Sequence, residues 1–510
     1  MLFRRPFKYD TMQKIISGPD IKQLDDQYVL KRNISSFALM ERAARAFCTW
    51  FVNRYDPGIS VAVFCGTGNN GGDGLAISRL LAGEGYSVRA FFLGDISRAA
   101  VDFNKNLGIM PENVCLLEVA EDSILDIRPD VIIDAVFGAG INRPVEDPHL
   151  RLIRTLNSRE AVKIAVDLPS GLPTDSVLEG EAFIADHTVS FQFPKLSLLF
   201  PEHGRYTGEL HVLDIGIDPV FFDAFSSQVY YIAPDDVRGR HINFGKFSHK
   251  GTFGKVMMIG GSYGKIGAMV LAGKAALKTG SGLVSCYLPR CGVDIMQTAV
   301  PEIMVESGQG DLELMALGLK DLDRFDALGM GPGMGTGENP RVCLQYVLEN
   351  YSKPLVIDAD AINILAAHRH LMAVLRENML LTPHLKEFER LVGPCKDHVE
   401  RMEKARSFSR NHRCVLILKG AYTLISLPDG RQFFNSSGTQ YMATGGSGDV
   451  LTGVLTSFLG QGYSPENAAI CGVYHHGLAG ELASKNRLRG TIASDIVESI
   501  PATFAALKIP

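Results

Sequence analysis

Short apolar runs alternate with segments of helical periodicity along the first half of the chain. The apolar runs predict strands at residues 61–65, 87–93, 131–135, 163–166, 188–193 and 209–213. Periodic segments predict helices at residues 21–29, 36–53 and 75–83. Strands separated by helices favour a mostly parallel sheet with right-handed crossovers. Polar, glycine-rich turns follow several of these strands, and ligands of open α/β sheets bind at the carboxyl ends of strands.

The second half of the chain starts the same kind of pattern again. It predicts strands at residues 255–259, 283–288, 327–330, 355–357, 379–381 and 415–418, and helices at residues 268–279 and 450–459. Residues 221–236 have no strong periodicity, and we place a domain boundary there. The expected domains are therefore residues 1–225 and 226–510, both of the α/β class.

Composition narrows the class of protein. A length of 510 residues, with 46% hydrophobic and 21% charged side chains, is typical of a multidomain globular protein. The formal net charge of −5 gives no support for a nucleic-acid partner. No stretch approaches the roughly 20 apolar residues of a membrane-spanning helix, and the basic N-terminus lacks the apolar segment of a signal peptide. The nine cysteines form no CxxC pair, which indicates buried thiols in a reducing compartment, the cytoplasm.

The first glycine-rich motif is GTGNNGGDG at residues 66–74. Backbone N–H groups at a helix start favour an anion, and asparagine oxygens can bind a cation. Alone, the motif is equally consistent with a tight strand-to-helix turn. Two further polar segments, DAVFGAGINRP at 134–144 and DLPSG at 167–171, also follow predicted strands. Three such turns at successive strand ends would converge on one crevice.

These three motifs together resemble the epimerase domain of the NAD(P)H-hydrate repair enzymes, over about residues 12–220. The resemblance implies a Rossmann-like three-layer fold that binds NAD(P)H hydrate and K⁺. It implies K⁺ ligands at Asn70, Asp134 and Ser170. It also implies substrate contacts from Asn69, Asn70, Gly71, Gly72, Asp73, Gly138, Ala139, Gly140, Ile141, Asn142, Arg143, Pro144 and Asp167.

Asp167 is the candidate acid/base of this first site. The hydrate carries a hydroxyl on a ring carbon beside the ring nitrogen, so it can lose and regain that hydroxyl through an iminium-like species. A carboxyl group such as Asp167 could assist the proton transfer. The alternative is that Asp167 only caps a turn. Lys195 is either a further pocket residue or a surface lysine.

The second glycine-rich motif is GGSGD at residues 445–449. It resembles the anion hole of ribokinase-like kinases, in which glycine N–H groups stabilise phosphoryl charge and the aspartate is the base toward the acceptor hydroxyl. The segments SHKGTFG at 248–254, GMGPGMG at 329–335, TPH at 382–384 with Glu387, and KGAYT at 419–423 accompany it. Together they resemble the NAD(P)H-hydrate dehydratase domain over about residues 228–505, which has a ribokinase-like α/β fold.

The second resemblance implies a nucleotide site and a hydrate site. The nucleotide would contact Lys419, Gly420, Ala421, Tyr422, Thr423 and Gly448, and the hydrate would contact Ala268, Gly333, His384 and Asp449, with Asp449 as the catalytic base. ADP, with Mg²⁺, would be the phosphoryl donor and AMP a product. Tyr422 stands where glycine is frequent in the family. Asp358 and Asp360 are interpreted as strand-end turn residues and His475 and His476 as structural.

The leading hypothesis is a bifunctional, homo-oligomeric repair enzyme that epimerises R and S NAD(P)H hydrate and dehydrates the S form at the expense of ADP. The alternative is a ribokinase-like small-molecule kinase fused to a non-catalytic Rossmann-like binding module. A kinase would leave a stable phosphorylated product, whereas the dehydratase would release inorganic phosphate.

Overall fold

A computed structural model describes residues 12–119, 128–141, 143–316 and 318–509. The chain folds into two compact units. The N-terminal unit comprises Gln13–Ser227 with Asp397–Val399, and the C-terminal unit comprises Gln228–Lys396 and Glu400–Pro510. Each unit contains a largely parallel sheet with helices, so the predicted α/β class is confirmed. No helix in the described ranges has the length and apolar character needed to cross a membrane.

The N-terminal unit is built on seven parallel strands. The short strand β1 (Gln13–Lys14) lies outside this sheet. The seven strands of the sheet are β2 (Ser60–Gly66), β3 (Ser87–Leu93), β4 (Cys115–Glu118), β5 (Val131–Ala135), β6 (Val162–Val166), β7 (His187–Phe191) and β8 (Glu209–Leu213). The sheet order is β4-β3-β2-β5-β6-β7-β8. The helices are α1 (Gly18–Arg32), α2 (Ser36–Val52), α3 (Asn69–Gly83), α4 (Val101–Gly108), α5 (His149–Asn157) and α6 (Gly204–Thr207).

The central strand β2 shows why this unit has three layers. Val61, Val63 and Cys65 point into a core shared with α2 and α3. Ala62 and Phe64 point into a second core shared with α5. Successive side chains of a strand face opposite sides of the sheet, and apolar residues at every position therefore require helices on both faces.

The strand order fixes where a ligand can bind in this unit. From β2 the chain moves outward to β3 and β4, and then returns to place β5 on the other side of β2. The carboxyl ends of β2 and β5 therefore form the topological switch point of the sheet, where ligands of such folds bind. A Cβ at Gly66 would overlap the carbonyl oxygen of Val136, so the two strand ends approach as closely as glycine allows.

The C-terminal unit contains the remaining strands and helices. Its strands are β9 (Val229–Ile232), β10 (Lys255–Ile259), β11 (Leu283–Leu288), β12 (Met304–Ser307), β13 (Ala327–Met330), β14 (Leu355–Ile357), β15 (Met379–Leu381), β16 (Val415–Leu418), β17 (Leu424–Ser426) and β18 (Gln432–Asn435). They lie in the order β9-β18-β17-β16-β15-β14-β13-β10-β11-β12. Pairs are parallel except β16 with β17 and β17 with β18. Its switch point lies between β10 and β13.

The helices that follow in the chain are α7 (Pro234–Arg238), α8 (Ile266–Lys278), α9 (Val293–Ala299), α10 (Glu338–Asn350), α11 (Ala359–Ala367), α12 (Leu385–Val392), α13 (His398–His412), α14 (Ser447–Gly460), α15 (Pro465–Ser484) and α16 (Ala493–Ala506). Helix α14 is buried from Val450 to Gly460. A Cβ at Gly453 would overlap the carbonyl oxygen of Ala272 in α8, so these helices touch backbone to backbone. A helix buried on all sides holds its N-terminal end in a fixed place.

The predicted strands and helices are all present and differ from the structure mainly at their ends, but many other elements were not predicted. These include β4, β12, α4, α5, α9, α10, α11, α12, α13 and α16. Helix α3 begins six residues before the predicted start at residue 75, and the predicted strand 188–193 ends at Phe191 because Gln192 has a φ of 64°. Residues 221–236, for which the sequence predicted no element, contain β9 and the beginning of α7. The hairpin strands β17 and β18 were also not predicted.

Candidate functional site

The NNGGDG motif forms the first turn of helix α3 and not the loop before it. Asn69 and Asn70 are helical, and neither adopts the left-handed backbone that asparagine tolerates. The glycines are required by packing: a Cβ at Gly71 would overlap the Gly66 carbonyl oxygen, and one at Gly74 would lie 2.6 Å from Ala135 Cβ. First-turn N–H groups lack partners within their own helix. The motif therefore aims them at the switch point.

The three residues implicated in K⁺ binding meet around the main chain of Phe137. Asn70 Nδ2 donates to the Phe137 carbonyl oxygen over 2.9 Å. The Phe137 N–H donates to Ser170 Oγ over 2.8 Å, and Ser170 Oγ donates to Asp134 Oδ1 over 2.6 Å. Asp134 Oδ2 accepts the Ser170 N–H over 2.8 Å. Polar side chains that follow three separate strands thus meet at one place.

Asp134 is a completely buried carboxyl group. Burial raises its pKa to about 6, although hydrogen bonds from Ser170 and Val136 oppose that rise. Within the described ranges, no lysine or arginine forms an ion pair with it. The charged form of a buried carboxylate needs a cation or several donors, so an oxygen-rich cation site fits this group.

Asp167 is held in an unusual backbone conformation at the end of β6. Its φ is 68°, and Leu168 N–H donates to the Val166 carbonyl oxygen over 2.8 Å around it. A tight turn of this kind costs on the order of 1–3 kcal/mol and clusters at functional sites. Asp167 Oδ1 accepts the Phe191 N–H over 3.0 Å and forms an ion pair with Lys195. Lys195 is 2% exposed, so it is not a surface lysine.

Two further carboxyl groups share this charge environment. Burial raises the pKa of Asp25 to about 7, opposed by the charge of Lys195 and supported by that of Asp167. Burial likewise raises the pKa of Asp73 well above its ordinary range, and Asp167 and Asp25 add to the effect. One lysine therefore faces three acids, and burial favours the protonated form of Asp25 and Asp73 by raising the pKa of each. Asp25 was not predicted as a site residue, because its position in the sequence resembles any polar position of helix α1.

The loop at 138–144 lies at the border of the first site. A Cβ at Gly138 would lie 3.1 Å from Asn70 Cβ, and the Ala139 carbonyl oxygen accepts Thr174 Oγ1 over 2.8 Å. Gly140, Arg143 and Pro144 are exposed and Ile141 is half-buried. Asn142 lies outside the described residues. The loop therefore lies against Asn70 at Gly138.

In the C-terminal unit, the GGSGD motif begins helix α14. Gly446 precedes the helix with a φ of 91°, which favours glycine. A Cβ at Gly448 would lie 3.4 Å from Lys419 Nζ and 3.8 Å from Asp358 Oδ2. Ser447 Oγ lies 3.3 Å from His476 Nε2, so His476 reaches this motif from helix α15. From sequence, only a structural role was predicted for His476.

Asp358 has a larger role than the strand-end turn position assigned to it from sequence. It is 1% exposed, and its Oδ1 accepts Lys419 Nζ over 2.8 Å. Its Oδ2 accepts Thr452 Oγ1 over 2.7 Å. Asp358 therefore fixes Lys419 beside the first turn of α14. Its IDADAIN context gave no indication of this, because its partners lie 61 and 94 residues away in the chain.

Asp449, the expected base, lies in the field of these charges. Burial raises the pKa of Asp449 to about 6, the charge of Asp358 raises it further, and the charge of Lys419 lowers it. A carboxyl group with this pKa is mostly ionised at neutral pH and still basic enough to accept a proton.

The other predicted residues form two smaller groups. Gly333 and Ala268 are neighbours, since a Cβ at Gly333, which has a φ of 60°, would lie 3.4 Å from Ala268 Cβ. Ser262 Oγ donates to the Gly333 carbonyl oxygen over 2.8 Å. This links the loops after β10 and β13 at the second switch point. Nucleotide-site candidates Gly420, Ala421, Tyr422 and Thr423 form the turn between β16 and β17, with Gly420 and Ala421 exposed.

His384 is the N-cap of helix α12. Its Nδ1 accepts the N–H groups of Lys386 and Glu387 over 3.1 and 3.3 Å, and Glu387 Oε2 accepts the His384 N–H over 2.9 Å. This reciprocal cap fixes the ring while leaving half of the side chain exposed. The Lys419 N–H donates to the Pro383 carbonyl oxygen over 2.9 Å, so the loop lies beside Lys419.

Comparison with known proteins matches both units. A family profile described as NAD(P)H-hydrate dehydratase matches residues 256–502, and one described as YjeF-related protein N-terminus matches residues 36–197. A bifunctional NAD(P)H-hydrate repair enzyme of Moorella thermoacetica is 34% identical over 97% of both chains. One of Escherichia coli K12 is 31% identical over 94% of this chain and 92% of that one.

Among solved structures, an ADP/ATP-dependent NAD(P)H-hydrate dehydratase from Bacillus subtilis, co-crystallised with ATP and Mg²⁺, is 26% identical. The match covers 54% of this chain and 97% of that chain, with a TM-score of 0.47.

Proposed function

Since the chain belongs to the family of bifunctional NAD(P)H-hydrate repair enzymes, we propose that its two switch points carry the two reactions of that family. The N-terminal unit epimerises R and S NAD(P)H hydrate at Asp167, and the C-terminal unit dehydrates the S form at Asp449. The observation that carries the proposal is that each unit gathers its motifs at one switch point beside an acid with a nearby lysine.

Epimerisation requires an acid that gives a proton to the leaving hydroxyl and later takes a proton back. The acid cluster of Asp25, Asp73 and Asp167 supplies it to the leaving hydroxyl as the bond between carbon and oxygen breaks, with the electron pair going to oxygen. The ring nitrogen shares its lone pair with the carbon. Water then adds to the opposite face of the planar carbon and returns the proton. The burial of Asp25 and Asp73 supports this role, because it keeps a proton available near neutral pH.

The K⁺ ligands in this proposal are Asn70, Asp134 and Ser170. Their donors are oxygen atoms with a single carboxylate charge, which suits a hard monovalent cation better than Zn²⁺. When bound, K⁺ would supply the positive charge that buried Asp134 lacks. The substrate contacts proposed for this site are Asn69, Asn70, Gly71, Gly72, Asp73, Gly138, Ala139, Gly140, Ile141, Asn142, Arg143, Pro144 and Asp167.

Dehydration requires that a poor leaving group be converted into a good one. Asp449 accepts the proton of the substrate hydroxyl as the hydroxyl oxygen attacks the β-phosphorus of ADP, and the bond to AMP breaks. N–H groups at the start of α14 and the Lys419 ammonium group stabilise the phosphoryl charge. The phosphate ester then leaves as inorganic phosphate, and loss of a proton from the neighbouring ring carbon forms the double bond of NAD(P)H.

The nucleotide contacts proposed for this site are Lys419, Gly420, Ala421, Tyr422, Thr423 and Gly448, and the hydrate contacts are Ala268, Gly333, His384 and Asp449. Asp358 is already occupied by Lys419 and Thr452. Mg²⁺, which usually keeps several waters and binds substrate phosphates, would therefore be held chiefly by ADP.

A mixture of hydrate epimers with ADP tests both halves at once. Asp449→Asn should lower dehydration by about 10²- to 10⁴-fold, the usual contribution of an acid/base group, while the epimers still interconvert. Asp167→Ala should consume the S form and leave the R form. Recovery of NAD(P)H absorbance measures dehydration, and chromatographic separation of the epimers measures epimerisation.

Each variant has a matched control. Asp360→Asn changes a carboxyl group with a smaller effect on Asp449, and Asp56→Asn changes an exposed acid of the N-terminal unit. Near wild-type dehydration by Asp449→Asn, or consumption of both epimers by Asp167→Ala above the spontaneous rate, would contradict the assignment. A stable phosphorylated product without release of phosphate would instead identify a kinase.

The cation is tested separately. Exchange of K⁺ for a large organic cation should slow epimerisation without slowing dehydration of the S form. Crystals containing K⁺ should give an anomalous peak between Asn70, Asp134 and Ser170, and a peak elsewhere or none would refute the ligand set.

A further inference from the structure

A cluster of potential metal ligands lies on the edge of the N-terminal sheet, away from the strand ends used above. Among the described residues, His187, Glu209 and His211 form a group whose ligand atoms all lie within 4.8 Å of one another. His187 begins β7 and Glu209 begins β8. The cluster therefore lies at the amino ends of these strands, whereas Asp167 follows the carboxyl end of β6.

The sheet register brings the three side chains to one face. His187 pairs with Glu209, and His211 pairs with Val189 two residues beyond His187. Residues that pair across a sheet, and residues two apart in a strand, lie on the same face. The three ligands are thus placed by backbone pairing and need no loop to bring them together.

The distances between ligand atoms match those around a tetrahedral ion. His187 Nδ1 lies 3.2 Å from His211 Nε2 and 3.4 Å from Glu209 Oε2. His211 Nε2 lies 3.8 Å from Glu209 Oε1. Ligands about 2.0–2.1 Å from a tetrahedral Zn²⁺ are about 3.4 Å apart. The alternative for the two imidazoles is a direct hydrogen bond.

We propose that His187, His211 and Glu209 bind a divalent transition-metal ion of the Zn²⁺ class, which joins edge strand β8 to β7. Two imidazoles and one carboxylate form a common Zn²⁺ ligand set. The Glu209 side chain is 67% exposed, so ions can enter and water can fill the fourth position. The imidazoles are more protected, with 22% and 11% of their side chains exposed.

Helix α2 covers the cluster and provides a spectroscopic reporter. The ring of Trp50, the single tryptophan of the chain, lies 4.9 Å from that of His211 and 5.7 Å from that of His187. The Arg54 guanidinium lies 4.6 Å from the Trp50 ring, and its positive charge acts on His211. Arg54 would repel an ion bound here.

The test uses the full chain freed of metal with a chelator. Calorimetric titration with Zn²⁺ should show one site per chain, and Co²⁺ or Cu²⁺ should quench the fluorescence of Trp50. His211→Gln and His187→Gln should each weaken binding by about 100-fold or more, because even loss of a residue that only supports a ligand costs 10- to 100-fold. His370→Gln, an exposed histidine of the other unit, should leave binding unchanged.

Two further variants test whether a loss of metal binding reflects misfolding of the protein and whether the ion lies near Arg54. Glu209→Gln alters an exposed side chain and should weaken binding while the metal-free protein keeps its melting temperature. Arg54→Gln should tighten binding, because it removes a repelling charge.

Saturable binding that survives loss of either histidine, or that disappears with exposed Cys115→Ser, would overturn the proposal. So would the absence of Trp50 quenching, which would leave the histidine pair as a hydrogen bond.

Discussion

The electrostatic coupling between Asp358 and Asp449 gives the sharpest test of the C-terminal site. Replacement of Asp358 by Asn removes a negative charge that raises the pKa of Asp449. The dehydration rate falls at low pH because the base becomes protonated. This acid limb of the pH profile should therefore move to lower pH in Asp358→Asn. Lys419→Met removes a positive charge that lowers the same pKa, and it should move the limb to higher pH.

The raised pKa of Asp449 sets an upper limit on how far the acid limb can move. The pKa of Asp449 rises from 3.8 to about 6, which corresponds to about 3 kcal/mol at 1.36 kcal/mol per pH unit. Burial is the largest cause of the rise and remains in the variant. The shift on loss of Asp358 should therefore correspond to less than about 3 kcal/mol, and it should exceed the shift caused by Asp360→Asn, since Asp360 has the smallest effect.

The variant must also be shown to be folded. Breaking a buried ion pair costs about 3–5 kcal/mol. We expect a loss near the lower end, because the Lys419 side chain is 21% exposed and Asn can still bond to Thr452. Urea unfolding measures this loss.

The assay is the pH dependence of kcat/KM for the S hydrate at saturating ADP, compared for wild type, Asp358→Asn, Lys419→Met and Asp360→Asn. At a pH below 6, Asp358→Asn should keep a larger fraction of its own neutral-pH rate than wild type does. An acid limb that stays in place in Asp358→Asn, or moves to higher pH, would refute the coupling. Shifts of the same sign for Asp358→Asn and Lys419→Met would do so as well.

Three further predictions concern the two units separately. Gly448→Ala should fold normally, because its Cβ would make an ordinary van der Waals contact of 3.4 Å with Lys419 Nζ, but it should weaken ADP binding measured by calorimetry; unchanged affinity would remove Gly448 from the site. Gly71→Ala should abolish epimerisation and lower the melting temperature, because its Cβ would overlap the carbonyl oxygen of Gly66; a fully active, stable variant would contradict that packing. Asp73 has a raised pKa in the folded state, so its contribution to the free energy of unfolding declines as pH rises above about 4; Asp73→Asn should flatten that decline in urea unfolding, and curves parallel to wild type would count against it.

Strands such as β2 and β5 could be predicted from sequence, because burial on both faces of the sheet makes them continuous apolar runs. The start of helix α3 could not be predicted in this way. Helix α3 begins in NNGGDG, where glycine and asparagine have low helix propensity, and it is helical there because tertiary packing against Gly66 and Ala135 requires small residues in a first turn. Local propensity contains no information about such contacts.

The sequence by itself determined the α/β architecture, the family, and the motifs that follow each strand. It could do so because periodicity and short motifs are local properties. Only the tertiary structure decided which charged side chains lie close enough to interact electrostatically. These are Asp25 with Asp73 and Asp167, and Asp358 with Lys419. It also decided that His187 and His211 meet on one face of the sheet. Such groupings depend on strand order and register, which bring together residues far apart in the chain, and on burial, which makes their charges interact strongly.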